Sequence, residues 1–308
     1  MRTQVSLDAV GALVERRHQN PYELLGPHPV DDADRPATAI RAYLPDSHQA
    51  WVVHASHEGP RPMRRIHPAG LYETICPPET DSSEYQIQVA SGGGQTTTMH
   101  DPSAFPNLLS DYDLHLLGEG QLWHAYDKLG AHLRTFGGVE GVNFAVWAPN
   151  AESVSIVGDF NEWDGRRHQM RKHIPGGIWE LFLPGLSEGT LYKYQIKHPG
   201  GRVEDKVDPY GFAFECPPRT ATMVADLSRH HWHDEAWMGN RQGRDWLREP
   251  MSVYEVHLGS WRRPGDRPDA WLTYRELAHQ LVDYVKELGY THIQLMPVAE
   301  HPYTGSWG

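Results

Sequence analysis

Cysteine is nearly missing from this 308-residue chain: Cys76 and Cys216 are the only two, each stands before a Pro-Pro pair, and their spacing is not that of a metal site. That argues against a disulfide framework and makes a reduced, cytoplasmic compartment the simpler reading. Positive charge is scarce too. With 28 basic against 40 acidic residues the net charge is −12, which argues against a phosphate-tracking nucleic-acid partner. No apolar run approaches the length of a membrane span, and Met1 to Arg17 lacks the apolar core of a secretory signal, so no membrane partner is expected. Aromatics, in contrast, are plentiful. The 11 Trp and 14 Tyr exceed what core packing alone usually takes, and flat apolar faces with one polar tip are what sugar rings stack upon. Large β cores also bury Trp, so position has to decide between the two uses.

The middle of the chain repeats itself. Ala42-Tyr43-Leu44-Pro45-Asp46 resembles Val146-Trp147-Ala148-Pro149-Asn150, and each is followed by an alternating strand, Ala50 to His54 and Ser153 to Val157. Leu71-Tyr72-Glu73-Thr74-Ile75 matches Ile178-Trp179-Glu180-Leu181-Phe182, and Tyr85-Gln86-Ile87-Gln88 matches Tyr194-Gln195-Ile196-Lys197. His100-Asp101-Pro102 then matches Val207-Asp208-Pro209. Short alternating strands between Gly, Pro and Asp turns predict two tandem β-sandwiches of the immunoglobulin-like kind, so the expected fold class is mainly β. Ahead of the first, Leu7 to His18 carries helical apolar spacing, with Asn20-Pro21 to end it.

The copies differ after the strand that follows the repeat signature. Copy two has Gly158-Asp159-Phe160-Asn161-Glu162-Trp163-Asp164, a turn rich in Gly, Asn and Asp that would lift the indole off the core; copy one has Ser56-His57-Glu58-Gly59-Pro60, with no aromatic. Gly158 to Trp163 resembles the signature of the family 48 carbohydrate-binding modules. The resemblance implies that Trp163 stacks on an α-1,4-glucan, beside Asn161, while Lys193 of Leu191-Tyr192-Lys193-Tyr194 bonds sugar hydroxyls. The second tryptophan of the glycogen-binding version is absent from residues 200–207. Trp163 has an alternative use, packing at an interface with the next domain.

From residue 251 the pattern changes to strand, helix, strand. Ser252 to Leu258 alternates, Thr273-Tyr274-Arg275-Glu276 is a capping box, Leu277, Leu281, Val285 and Leu288 recur at helical spacing, Gly289 is placed to end the helix, and Thr291 to Val298 is a second strand. One parallel pair leaves sheet edges uncovered, so the expectation is the front end of a larger protein. The order of Asn20-Pro21-Tyr22-Glu23-Leu24-Leu25-Gly26, the Phe-Asn-x-Trp turn, Tyr254 to Trp261 and Glu300 to Gly308 resembles the bacterial 1,4-α-glucan branching enzymes over essentially the whole chain. It implies a sandwich with leading helix at 1–112, a family 48 module at 113–226, a linker at 227–250, and at 251–308 the first β-α-β unit of an incomplete (β/α)8 barrel of glycoside hydrolase family 13. The implied reaction cleaves an α-1,4-glucan and transfers the segment to a 6-hydroxyl, making the α-1,6 branches of glycogen.

Retaining transfer needs two carboxyl groups about 5 Å apart across the scissile bond. In this family they sit on later barrel strands, so no catalytic residue is expected within the chain, which alone is expected to be inactive. Glu255, Asp266 and Asp269 read as solvated or turn-stabilising carboxylates. Glu300, His301, Tyr303 and Trp307, leaving the end of the second strand, are the expected wall of the substrate cleft. His230-His231-Trp232-His233-Asp234 has no second cluster beside it and reads as linker, and Ser91-Gly92-Gly93-Gly94 as a turn rather than a phosphate loop. No cofactor or metal is implied. The expected partner is α-1,4-glucan or glycogen, with packing against the rest of the barrel. A standalone glucan-binding or scaffold protein, and the front of a debranching or trehalose-forming relative, are the alternatives.

Overall fold

The computed structural model describes residues 5–299 apart from 33–34, 56–57, 79, 81–84, 91–94, 217 and 268–269. It divides into two compact units, Met1–Glu215 with Ala221–Asp226, and Cys216–Thr220 with Leu227–Gly308. The described residues are mainly β, in antiparallel sheets with few helices. No helix among them is long and apolar enough to cross a membrane.

The first repeat opens with α1 (Leu7–Val14), which buries Val10 and Leu13 against Leu24, Tyr43 and Leu71. The helix is shorter than its apolar spacing predicted. Arg16 takes a left-handed φ of 55°, and the N–H groups of Arg17 and His18 turn back onto the Ala12 carbonyl, closing the end before His18. Eight strands follow: β1 (Gly26–Asp32), β2 (Arg35–Tyr43), β3 (Gln49–Val53), β4 (Arg61–Pro62), β5 (Arg64–His67), β6 (Leu71–Cys76), β7 (Gln86–Ala90) and β8 (Thr96–His100). They form sheets ordered β1-β2-β6-β5 and β4-β3-β7-β8. Both sheets send side chains into one core, Ile40 and Tyr72 from the first, Val52 and Ile87 from the second. This is the alternation of the strands expressed as two faces.

The second repeat begins with α2 (Asp111–Gly118), started by a Ser110/Asp113 capping box. Its strands are β9 (Gly130–Phe136), β10 (Val139–Trp147), β11 (Ser153–Val157), β12 (Arg171–His173), β13 (Ile178–Pro184), β14 (Leu191–Lys197), β15 (Val203–Lys206), β16 (Ala213–Phe214) and β17 (Thr222–Met223). The order β9-β10-β13-β12 reproduces β1-β2-β6-β5, and β11 and β14 pair as β3 and β7 do. Phe144, Ile156, Trp179 and Tyr194 lie in its core.

Register refines the repeat. Tyr43 pairs with Leu71 as Trp147 pairs with Ile178, in keeping with the sequence match. In the other sheet, however, Ile87 opposite Met99 corresponds to Tyr194 opposite Lys206, so Tyr85 is equivalent to Tyr192 and not to Tyr194. Hydrogen bonding agrees: Tyr85 donates to Asp101 at 2.5 Å and Tyr192 to Asp208 at 2.6 Å, both sixteen residues apart. Tyr192 and Tyr194 lie two residues apart on one face, so either satisfies the sequence match and only register separates them.

In the other unit α3 (Glu235–Gln242) precedes β18 (Val253–Val256), α4 (Leu258–Trp261), α5 (Tyr274–Glu287) and β19 (His292–Leu295), and β18 and β19 pair in parallel. The Thr273/Glu276 box forms as expected, and Gly289 adopts a φ of 78° after the helix. Leu277, Leu281 and Val285 are buried, Leu281 and Val285 beside Val256. Leu288 is not part of that stripe: it is the C-cap residue and stays exposed.

Candidate carbohydrate-binding site

The turn after β11 is built from its backbone outward. Gly158 has no room for a side chain, since a Cβ there would lie 2.3 Å from the Leu191 carbonyl oxygen and 2.4 Å from the Phe160 ring. Asp159–Asn161 make one 3-10 turn, after which Glu162 and Trp163 both take left-handed backbone, at φ 58° and 59°. Consecutive non-glycine residues in that region store strain of about 1–3 kcal/mol each and need neighbours to hold them. Asn161 does so. It is 1% exposed; its Oδ1 accepts from Gly158 N at 3.0 Å, and its Nδ2 donates to Ile156 O and to His168 Nδ1, both at 2.8 Å. Asn161 is thus a support of the turn with its amide already committed. Burial, with Arg167 nearby, pushes the His168 imidazole down to about 4, which keeps it neutral as the acceptor for Asn161.

The indole of Trp163 is half-buried and outside the hydrophobic cores, and its Nε1 donates to Asp159 Oδ1 at 2.8 Å. Lys193 lies between the buried Tyr192 and Tyr194, on the outer side of β14, and pairs in register with Val157, the residue before the turn. The structure therefore brings Trp163, Asn161 and Lys193 to one end of the β11–β14 pair. Beyond the turn, Asp164 accepts from Arg166 at 2.7 to 3.0 Å, and Arg166 reaches Asp46 of the first repeat at 2.6 Å. Burial pushes the Asp164 carboxyl up, but the Arg166 hydrogen bonds outweigh it and hold it below its ordinary value.

Sequence reasoning missed what covers the rest of that face. Arg16 donates to Gln195 Oε1 at 2.6 Å and to Ser155 Oγ at 3.4 Å, and Lys197 donates to the Glu15 carbonyl at 2.7 Å. Gln195 and Lys197 share the outer side with Lys193, so residues 15–16 close off the sheet immediately next to it. A polar Arg after an amphipathic helix carries no local sign of this role.

Glu255 is exposed on β18, and Asp266 is exposed beside Arg267 at 3.7 Å. Asp269, Glu300, His301, Tyr303 and Trp307 lie outside the described residues, as do Ser56, His57 and residues 91–94. Both cysteines are free thiols, Cys76 buried and Cys216 exposed.

Residues 6–103 match the family model of the alpha-1,4-glucan branching enzyme GlgB N-terminal domain, and residues 128–211 that of carbohydrate-binding module 48, the isoamylase N-terminal domain. The chain is 46% identical to the 1,4-alpha-glucan branching enzyme GlgB of Rhodopirellula baltica, across 100% of its own length and 42% of that protein's. To the enzyme of the same name from Rubrobacter xylanophilus it is 49% identical, over 98% of this chain and 40% of the other. The chain thus spans about two fifths of the length of these curated relatives. Among solved structures, a pullulanase from Anoxybacillus sp. is 18% identical with a TM-score of 0.37, covering 89% of this chain and 38% of that one, a likeness too loose to carry weight.

Proposed function

Because the chain is homologous to the N-terminal part of the 1,4-alpha-glucan branching enzymes, we propose that it forms the glucan-guiding front part of an enzyme of that activity. The enzyme cleaves an α-1,4-glucan and passes the freed segment to a 6-hydroxyl, forming α-1,6 branches in glycogen, with the catalytic carboxylates outside these residues. In this reading 1–112 and 113–226 are immunoglobulin-like sandwiches, 227–250 a linker, and 251–308 the first unit of a (β/α)8 barrel. The parallel β18–β19 pair with α5 between its strands supports the last assignment.

One observation carries the binding role: an indole held by Asp159 on a strained turn, outside any core, at the end of the β11–β14 pair where Lys193 lies. Strain maintained at an exposed turn is characteristic of a site that presents a side chain to a ligand. Trp163 is then the stacking platform and Lys193 a hydroxyl partner, while Asn161 holds the turn that carries Trp163. Glu300, His301, Tyr303 and Trp307 would form a wall of the catalytic cleft. Trp163→Ala should weaken binding to glycogen by about 1–3 kcal/mol, measured by affinity electrophoresis, with the unfolding midpoint little changed. Unchanged glycogen affinity together with a loss of stability would instead make the indole a packing residue.

A further inference from the structure

A cleft of about 370 Å3 is lined by residues of both repeats, within the range of roughly 300–1,000 Å3 typical of small-molecule sites. One side is formed by Tyr43 at the end of β2 and the 44–47 segment after it, joined by Thr97 and Met99 of β8. The opposite side is Phe160, Asn161 and Glu162, so the wall of the cleft is continuous with the turn that carries Trp163, and Arg166 and Arg167 extend it. Both repeats are needed to enclose it.

Its chemistry narrows the ligand. Tyr43, Pro45, Met99 and Phe160 offer apolar faces between polar groups that come as pairs of opposite sign. Asp46 contacts Arg166 at 2.6 Å, and Glu162 contacts Arg167 at 3.4 Å. Asp101 adds a third carboxyl to the lining, hydrogen-bonded to Tyr85 and Ser103, and His168 is neutral near pH 7. The lining has no surplus of positive charge, which argues against a phosphorylated ligand or nucleotide. Two further lining groups, Gln169 Oε1 and His100 Nδ1, make no hydrogen bond among the described residues. Apolar faces alternating with neutralised carboxylate and guanidinium pairs suit a neutral ring that has hydroxyls on its edge and C–H groups on its face.

We propose that this cleft is a second α-glucan site, distinct from the Trp163 platform, which takes a short malto-oligosaccharide between the two repeats. The assignment rests on the glucan-binding reading of this part of the chain. It gives the first repeat a role in binding: Thr97 and Met99 contact the sugar, and the 43–47 segment forms one side of its pocket.

Maltotriose titrated into the intact protein tests both sites at once, with methionine methyls and indole N–H groups followed by NMR and Met99 assigned through Met99→Leu. The Met99 methyl and the Trp163 indole should both move, with separate midpoints. Thr97→Trp, on an exposed strand position at the cleft, should weaken the Met99 response by about tenfold or more and leave the Trp163 response unchanged; Trp163→Ala should do the reverse. A Trp163 response with a silent Met99 in the unaltered protein overturns the cleft site and leaves the glucan reading standing. Silence of both overturns both. A Met99 response with a silent Trp163 supports the cleft and removes the platform.

Discussion

Glu73 on β6 and Glu180 on β13 occupy one position of the repeat, yet they hold different things. Glu73 pairs with buried Arg41 of the neighbouring strand at 2.9 Å and with Arg64 of β5 at 3.6 Å, both in the first repeat. Glu180, with no exposed surface, accepts from the Leu108 and Leu109 N–H groups at 2.8 and 3.0 Å, from Asn143 at 3.2 Å and from His173 at 2.7 Å. Burial pushes its carboxyl up, but His173 and the Leu108 N–H outweigh that and hold it below its ordinary value. The second glutamate thus fastens the segment that joins the repeats. The tyrosine–aspartate anchor diverges less: Asp101 accepts from one tyrosine, Tyr85, whereas Asp208 accepts from Tyr192 and, at 3.1 Å, from Tyr194. Duplication has kept what closes each core. The differences fall where a repeat meets its linker, its neighbour or a ligand.

The largest effect should come from the anchors. Asp208→Ala strands the Tyr192 hydroxyl and the Tyr210 N–H and leaves the Tyr194 hydroxyl only the Ala145 carbonyl at 3.3 Å, and should cost about 3–5 kcal/mol in denaturant unfolding; Asp101→Ala, with one tyrosine and the Ser103 N–H, should cost roughly 2 kcal/mol. Equal losses would mean that the Tyr194 contact adds nothing and that the anchors are interchangeable.

A smaller effect should separate the copies by pH. His168, at about 4 when folded, titrates near its ordinary 6.5 when unfolded, so between those values the unfolded chain binds more protons and stability rises with pH. Acidifying from about 6.5 toward 4 should therefore loosen the turn, because a protonated Nδ1 can no longer accept from Asn161. Glycogen binding that depends on Trp163 should weaken over the same window and should lose that dependence in His168→Asn. A flat profile in the unaltered protein would detach the turn from His168.

The smallest effect belongs to the ion pair between the repeats. Asp46 and Arg166 are about half exposed, so Asp46→Ala should lower stability by only about 0.2–1 kcal/mol in the same unfolding measurement. A loss well above that would make the pair a structural joint between the repeats.

The strands, the α5 capping box and the Trp163 turn were legible because each is set by neighbours in sequence: side-chain alternation, a hydroxyl three residues before a carboxylate, a glycine where a side chain has no room. The end of α1 and the outward Leu288 were not, since spacing alone does not register how a helix closes. Nor was the equivalence of Tyr85 with Tyr192, because strand register is decided by the partner strand and not by the strand itself.

By itself the sequence determined the mainly β character, the duplication, the family resemblance and the placing of an indole on a turn. Tertiary structure alone decided that Arg16 closes the sheet beside Lys193, that Glu180 fastens the segment joining the two repeats and that a cleft opens between them. Arg16 meets Gln195 across 179 residues of chain, and Arg166 meets Asp46 across 120. Contacts over such separations depend on how two finished sheets dock, and no local pattern of residues records that.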